Sequence, residues 1–187
     1  MRKLKLQIQM TIDGFVAGPN GELDWMWVGE QDVAVRDSVI DLAKSCDTIL
    51  LGRKMTAGFV NYWEDVVDNH PESPEQLLAQ LMVNMRKIVF SRTLDHMPGR
   101  NLSVENGELS AVIHSLKAQS GQDIIVYGGA DFVSSLIRMN LIDEYIIFRN
   151  PVAIGKGLSI FDEQKILKLI DSTIYKNGKS VERYLPL

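Results

Sequence analysis

Apolar and polar side chains alternate strictly from Lys3 to Met10. This period of two predicts a β-strand with one face buried and the other in solvent. The short basic cluster at its start, Arg2, Lys3 and Lys5, is expected on the solvent face. Asp13-Gly14 ends the alternation, and a glycine-rich loop follows.

Apolar residues at helical spacing predict four later helices. These helices cover residues 32–46, a segment that begins near Ser73, residues 109–116 and residues 131–139. The second begins with a chemical signature, because Ser73 can cap it, Pro74 suits its first position and Gln76 completes a capping box. Gly121 can close the third.

Short apolar runs between these helices predict strands at residues 48–51, 87–91, 123–127 and 144–148. Near the C-terminus, residues 165–175 and 180–185 flank Asn177-Gly178, a strong hairpin signal. Strands that alternate with helices and end in a hairpin predict an α/β fold, a three-layer α/β/α domain with a mixed central sheet. We expect one domain over residues 1–187.

Composition narrows the class of protein. A chain of 187 residues with 45% hydrophobic and 24% charged residues is typical of one globular domain. A net charge of −4 argues against a nucleic-acid partner, and no apolar run approaches the roughly 18 residues that a membrane span needs. The single Cys46 and the lack of a secretory signal pattern favour a reducing, cytoplasmic location, and the three histidines show no metal-ligand spacing.

Candidate chemistry follows three of the predicted strands. One strand runs from Ile124 into Gly128-Gly129 and a helix, where backbone amides can receive a diphosphate, although a tight turn without a ligand would look the same. Gly52-Arg53-Lys54 and Ser91-Arg92-Thr93 follow two other strands, and each could by itself be an exposed turn. Because ligands of open α/β sheets bind at the carboxyl ends of strands, the three together predict a nucleotide-binding crevice.

The order of these motifs resembles the dihydrofolate reductase-like superfamily, in particular the RibD C-terminal domain family of riboflavin-biosynthesis reductases. The matching segments are Asp13-Gly14 with Ala17, Ile49 to Arg53, Ser91 to Leu94, Val126 to Gly129, Leu141 to Glu144, Pro151-Val152, Gly155 to Gly157 and Phe161. The resemblance covers about Lys3 to Tyr184. It implies an NADPH-dependent reductase that acts on a small-molecule substrate and forms a homodimer.

The resemblance also implies roles for individual residues. It places Arg53, Lys54, Ser91 and Arg92 near the adenosine 2′-phosphate, with Gly52 at the end of the strand before Arg53. Gly128, Gly129, Ala130 and Asp131 would meet the diphosphate through backbone amides, and Ala17 and Gly18 would lie over the nicotinamide ribose. Relatives carry a threonine where this chain has Met55, and Thr56 is the candidate substitute. An apolar segment, Tyr145 to Phe148, is the expected dimer surface.

The substrate side is less determined by the sequence. At 3.6 residues per turn, Asp32 lies on the apolar arc of its helix, whereas Asp37 and Asp41 point away. Asp32 is therefore a candidate acid, with a helix N-cap as the alternative, and Asp13 is a second candidate, with a turn residue as the alternative. Tyr127 could orient the substrate or satisfy a buried carbonyl.

The loops bordering the crevice are expected to carry aromatic surface, although these residues could equally belong to the core: Trp25, Trp27, Phe59, Tyr62 and Trp63. The leading hypothesis is hydride transfer from NADPH to a pterin-like or other heterocyclic substrate. A nucleotide-binding module that has lost the reduction is the first alternative. A structural dimer without nucleotide is the second.

Overall fold

The computed structural model describes residues 1–27 and 32–187. They form eight β-strands and five α-helices, with a short 3-10 helix at Asp24–Trp27. In chain order the elements are β1 (Leu4–Thr11), α1 (Val33–Lys44), β2 (Cys46–Gly52), α2 (Arg53–Asn69), α3 (Gln76–Asn84), β3 (Arg86–Phe90), β4 (Leu102–Glu105), α4 (Leu109–Ala118), β5 (Asp123–Val126), α5 (Ala130–Arg138), β6 (Glu144–Asn150), β7 (Leu167–Ile174) and β8 (Ser180–Pro186).

The strands form one mixed sheet in the order β4-β3-β2-β5-β1-β6-β8-β7. The six strands from β4 to β6 are mutually parallel, whereas β8 is antiparallel to both β6 and β7. The turn between β7 and β8 contains Asn177 and Gly178, and Gly178 has a φ of +81°. The predicted mixed sheet and its C-terminal hairpin are therefore confirmed.

Helices cover both faces of the sheet. On one face, Ile113 of α4 and Val133 of α5 pack with the even-numbered apolar residues of β1. On the other face, Ile40 of α1 and Met82 of α3 pack with β2 and β5, and Phe59 of α2 joins them. This arrangement confirms the three-layer α/β/α architecture.

The expected solvent exposure of the basic cluster is confirmed for Lys3 and wrong for Arg2 and Lys5. Lys5 is only 9% exposed and its Nζ lies 2.9 Å from Asp123 Oδ2. Arg2 is 7% exposed; it pairs with Asp47 and donates to Thr48 Oγ1 at 2.8 Å. Because β1 lies between β5 and β6, its Lys5 is buried and the charge must be paired.

Helix α2 was not predicted. It spans 17 residues and buries Thr56, Val60 and Val66, so Phe59, Tyr62 and Trp63 lie on a helix rather than in loops. Met55, Phe59, Trp63 and Val66 recur at helical spacing, so the sequence did contain a signal for this helix.

The predicted capping box of the following helix is also wrong. Helix α3 begins at Gln76, and the Ser73 hydroxyl accepts the Glu75 N–H at 3.2 Å within the preceding turn. The Gln76 amide instead donates to the Val66 and Val67 carbonyl oxygens, at 3.4 Å each.

The apolar segment Tyr145 to Phe148 is not a free surface. It lies in β6, between β1 and β8, and its four side chains are at most 4% exposed. The expected dimer surface is therefore misplaced, because α1 covers one side of this strand and Phe161 stacks on Tyr145 on the other. Exposed apolar side chains occur instead on the edge strand β7, at Leu169, Ile170 and Ile174.

Within residues 1–27 and 32–187, no helix is long and apolar enough to cross a bilayer. The same residues contain no group of three or more His, Cys, Asp or Glu side chains that could hold a metal ion. Cys46 is a buried free thiol, and burial raises its pKa, so the thiol is a poor nucleophile at neutral pH.

Candidate active site at the carboxyl edge of the sheet

The sheet has a topological switch point between β2 and β5. After β2 the chain moves outward to β3 and β4, and it then returns to insert β5 between β2 and β1. The helices that follow these two strands lie on opposite faces, α2 with Phe59 on one and α5 with Val133 on the other. A crevice at the carboxyl ends of β2 and β5 is the expected ligand site of such a sheet.

Glycines line the floor of this crevice. Gly129, with a φ of +87°, lies so close to the end of β2 that a Cβ on it would stand 3.4 Å from the Cα of Gly52. A Cβ on Gly52 would stand 2.9 Å from the Phe132 Cβ. Gly128 has a φ of +147°, so both residues of the pair use backbone conformations that favour glycine. Side chains are thus excluded where the two strands meet.

Two helix N-termini flank the glycines. Helix α2 starts at Arg53 and helix α5 at Ala130, and among the described residues no side chain caps the first amides of either helix. Arg53 is exposed. Lys54 Nζ lies 2.7 Å from Asp131 Oδ2, a solvent-exposed ion pair that links the two helix starts. Free amides and a cation at this position favour an anionic ligand.

The next strand end adds a second guanidinium. Phe90 of β3 is opposite Gly52 of β2, so Ser91 and Arg92 follow at the same edge. Ser91 is buried, and its Oγ accepts the Thr93 N–H at 3.2 Å and the Leu94 N–H at 3.0 Å. Ser91 therefore shapes the turn, while Arg92 is exposed and available.

Thr56 does not reach this surface. It is fully buried inside the first turns of α2, and its hydroxyl donates to the Gly52 carbonyl oxygen at 3.1 Å. The predicted contact between Thr56 and a phosphate is not supported, because the helix already begins at Arg53. The Met55 sulfur lies 3.6 Å from the position that a Gly128 Cβ would take, so Met55 packs beneath the glycine pair.

Ala17 and Gly18 lie in the loop that follows β1, and both are buried. Ala17 forms an antiparallel bridge with Leu158, whose N–H donates to the Ala17 carbonyl oxygen at 2.8 Å. Gly18 donates to the Glu22 carbonyl oxygen at 2.9 Å and so begins a tight turn. A Cβ on Gly157 would lie 2.2 Å from the Ala17 oxygen, which shows how closely the two loops approach.

Tyr127 immediately precedes the glycine pair. Its ring stacks on Phe59 with a centroid distance of 5.8 Å and an interplanar angle of 30°. Its hydroxyl oxygen is buried and has no hydrogen-bond partner within the described part of the chain. Burial strongly raises the pKa of this phenol, so Tyr127 is a neutral hydrogen-bond donor at physiological pH.

The carboxylates of the two candidate acids both accept hydrogen bonds from backbone N–H groups. Asp32 is the N-cap of α1, and its Oδ1 accepts the Ala34 N–H at 2.9 Å. The N-cap alternative is therefore the one observed. Asp13 Oδ2 accepts the Ile154 and Gly155 N–H groups at 3.1 and 2.7 Å. A hydrogen bond from Thr11 lowers the Asp13 pKa, so this carboxylate is an unsuitable proton donor at neutral pH.

The aromatic residues divide between two places. Phe59 lies against Tyr127, and Trp63 packs on Phe59 with ring centroids 6.2 Å apart. Tyr62 donates a hydrogen bond to Glu75 of the α2–α3 connection. Trp25 is buried in the 3-10 helix, whereas Trp27 is 60% exposed. Within the part of the chain that the structure describes, Phe59 is the one of the five whose ring stacks on a proposed site residue, Tyr127.

Comparison with known proteins shows the family of this chain. Residues 2–182 match the family described as RibD C-terminal domain. The chain belongs to this family. YyaP, an uncharacterised protein of Bacillus subtilis (strain 168), is 32% identical over 180 residues, which cover 95% of this chain and 91% of that protein.

Solved structures show the same dihydrofolate reductase-like fold. A Shewanella sp. PV-4 protein that carries a riboflavin-biosynthesis name superposes with a TM-score of 0.74 at 21% identity, over 99% of each chain. A Thermotoga maritima diaminohydroxyphosphoribosylaminopyrimidine deaminase/5-amino-6-(5-phosphoribosylamino)uracil reductase gives a TM-score of 0.70 at 15% identity, over 100% of this chain and 57% of that one.

Within this RibD C-terminal domain, the structure draws attention to two further residues that the sequence analysis did not select. Gln7 and Asn150 are buried on the same side of the sheet as Tyr127, and each has a side-chain oxygen without a partner in the described ranges. The sequence contains a faint signal for Gln7, since the polar positions of an interior strand are unusual. The sequence alone does not show that β1 is an interior strand, so this signal can be used only once the sheet order is known.

Proposed function

We propose that this chain is an NADPH-dependent reductase that transfers a hydride to a small pterin-like or other heterocyclic substrate. The approach of Gly129 to Gly52, between two helix N-termini, is the observation that carries the proposal. Three cations, Arg53, Lys54 and Arg92, surround that point on neighbouring strand ends. Membership of a reductase family supports the reaction class.

The residues of this edge fit a dinucleotide with an additional phosphate. Gly128 and Gly129 leave the backbone open to a diphosphate, and the first amides of α5, at Ala130 and Asp131, can donate to it. The Arg53 and Arg92 guanidinium groups suit the 2′-phosphate, since their planar forks match its oxygens. NADPH supplies the hydride when it is bound.

Other residues position these groups. Lys54 would exchange the Asp131 carboxylate for a ligand phosphate, because their exposed pair is weak and easily broken. Ser91 holds the turn that presents Arg92, and Gly52 keeps the strand end free of a side chain. Ala17 and Gly18, in the loop after β1, are proposed to border the nicotinamide ribose.

Tyr127 is the residue that we assign to the substrate. Its neutral hydroxyl can donate a hydrogen bond to a substrate oxygen or nitrogen, and Phe59 holds its ring in place. Asp32 receives no catalytic role, because its carboxylate caps α1 and lies with Ile174 and Tyr175 along a surface cavity beside the hairpin.

A nucleotide-binding module without reductase activity is the second candidate. It is favoured by one observation: both candidate acids, Asp32 and Asp13, are occupied by backbone N–H groups. A hydride acceptor needs a proton as well as a hydride, so a module without a free acid could bind the cofactor and not turn it over.

Two measurements separate these functions. NADPH at about 100 times its dissociation constant should stabilise the folded protein by about 2.7 kcal/mol, which a thermal shift detects. Oxidation of NADPH is then followed with a panel of pterins and aminopyrimidines. Turnover on any member supports the reductase, and binding without turnover on all members supports the module. No thermal shift rejects both and leaves the structural dimer.

We also propose that the chain forms a homodimer through the edge strand β7. Half of its eight residues are apolar, and three of these, Leu169, Ile170 and Ile174, are 51%, 44% and 80% exposed. Exposed edge strands with apolar side chains tend to pair with another chain. A second copy of β7 would satisfy the open backbone groups and cover these side chains.

A further inference from the structure

Three adjacent strands place unpaired polar oxygens on one face of the sheet. Tyr127 follows β5, Gln7 lies in β1 and Asn150 ends β6. The Tyr127 hydroxyl, Gln7 Oε1 and Asn150 Oδ1 are all buried, and none has a hydrogen-bond partner in residues 1–27 and 32–187. Gln7 and Asn150 are 6% and 2% exposed.

The register of the ladders places these residues on one face of the sheet. Leu6 is opposite Val126, so the next residues, Gln7 and Tyr127, are neighbours on the face covered by α1. On the other side of β1, Gln7 is opposite Ile146 of β6, and Asn150 lies on the same face as Ile146, four residues further along that strand. The three oxygens therefore line one surface near the carboxyl ends of β5, β1 and β6.

This surface approaches solvent at the edge of the sheet. β5 ends at Val126, whereas β1 continues to Thr11, so the last residues of β1 have no strand of the described ranges beside them on the β5 side. Gln9 lies there and is half-buried, as is the Tyr127 residue. The surface thus joins the crevice that contains the glycine pair.

Gln9 provides an internal comparison. It shares the strand, the face and the side-chain type of Gln7, yet its Oε1 accepts the Asn150 Nδ2 at 2.9 Å. Asn150 Nδ2 also donates to the Phe148 carbonyl oxygen at 3.1 Å, so the Asn150 amide is oriented with its oxygen left over. Buried polar atoms are satisfied in more than about nine cases in ten, and three unsatisfied oxygens on one surface call for a ligand.

We propose that Gln7 and Asn150 are specificity-determining residues that accept hydrogen bonds from N–H groups of the heterocyclic substrate, while Tyr127 donates to its ring. This inference rests on the proposed function, whose site it extends to the substrate side. The acceptors are neutral amides, and the Asp32 carboxylate is committed to its helix cap. The ring is consequently bound in its neutral form, and its affinity does not depend on pH near neutrality.

The test uses the full chain and isocytosine, a neutral ring with adjacent N–H donors. Gln7→Met keeps the side-chain length and removes the amide. We expect it to weaken isocytosine binding at least about tenfold, as measured by calorimetry, and to raise the melting temperature, because a buried unpaired acceptor disappears. Gln9→Met should lower the melting temperature, because the Asn150 amide then loses an acceptor.

Tyr127→Phe is a second variant that removes only the hydroxyl. It should also raise the melting temperature and weaken isocytosine binding. Wild-type affinity should be constant between about pH 6 and pH 8. Unchanged affinity in Gln7→Met, a lower melting temperature in that variant, tighter binding in acid, or no binding of isocytosine to the wild type would each overturn the proposal.

NADPH binding is measured in parallel to keep the two proposals apart. Its dissociation constant should be the same in the wild type and in Gln7→Met, because Gln7 is on the substrate side. If isocytosine binding depends on Gln7 but NADPH does not bind, the reductase proposal fails and this inference stands. If NADPH binds and Gln7→Met leaves isocytosine binding unchanged, this inference fails and the reductase proposal stands.

Discussion

Gly129 lies so close to Gly52 that a Cβ added to Gly129 would stand 3.4 Å from the Gly52 Cα. The two glycines are far apart in the sequence, but Gly52 ends β2 and Gly129 lies just after the neighbouring strand β5, at the start of α5. Their contact brings the starts of α5 and α2 together and leaves the floor of the crevice without side chains. A flat, amide-lined floor is what a diphosphate requires.

Gly129→Ala should abolish the stabilisation that NADPH gives to the folded protein. The added methyl group would project into the crevice floor, and the φ of +87° is strained for any L side chain. We expect a loss of about 1–3 kcal/mol in the free energy of unfolding of the free protein. Thermal unfolding with and without NADPH measures both effects.

Gly178→Ala is the matched control for this variant. Gly178 has a similar φ of +81° but lies in the β7–β8 turn, where its nearest neighbour is Pro151. The Gly178→Ala variant should lose a comparable free energy of unfolding and keep the full stabilisation by NADPH. If Gly129→Ala is also stabilised by NADPH as much as the wild type, the diphosphate does not lie at the glycine pair.

Arg92→Ala should reduce the preference for NADPH over NADH. A charge-assisted hydrogen bond contributes about 1.5–3 kcal/mol, so NADPH affinity should fall at least about tenfold while NADH affinity stays nearly constant. Fluorescence titration with both nucleotides gives the ratio. Arg100→Ala is a suitable control, because Arg100 is exposed and pairs with Asp68 away from the crevice. Equal losses for the two nucleotides would contradict a role at the 2′-phosphate.

Lys87→Met should destabilise the fold. Lys87 is 2% exposed, and its Nζ donates to the carbonyl oxygens of Met82, Val83 and Met85 at 2.8–3.0 Å. Loss of these bonds leaves buried acceptors near the end of α3, at a cost of about 2–4 kcal/mol in urea unfolding. Lys168→Met, on the exposed strand β7, should have almost no effect.

The pH dependence of that cost has a defined sign. Burial lowers the pKa of Lys87 to about 8, below its value of about 10.4 in an unfolded chain. Between these values the unfolded state holds more protons, so the stability of the wild type relative to Lys87→Met should rise with pH and level off above about pH 10. A difference that falls over this range would show that the folded protein holds the proton more tightly.

Ile170→Lys combined with Leu169→Lys should prevent dimer formation. Both side chains are exposed on β7, and charges on an edge strand disfavour pairing between chains. Light scattering should give about twice 21.0 kDa for the wild type and 21.0 kDa for the double variant. Equal masses for the two proteins would place any dimer interface elsewhere, and a wild-type mass of 21.0 kDa would rule the dimer out.

Local patterns were sufficient for much of the fold and for locating the glycine and cationic residues at the strand ends. The strand ends at Gly52 and Gly128 were apparent because a glycine directly after an apolar run is a signal contained in a few adjacent residues. The same is true of Asn177-Gly178. Helix α2 lies outside the predicted elements although its apolar residues have helical spacing, because its aromatic residues were assigned to loops that border the crevice.

The sequence by itself determined the alternation of strands and helices and the glycine and cationic residues that follow the strands, since these depend on neighbours in the chain. Only the tertiary structure decided that β1 is interior, that Lys5 pairs with Asp123, and that Gln7 is buried without a partner. The period of β1 was readable, but its burial was not, because the order of strands in the sheet depends on contacts between residues more than a hundred positions apart.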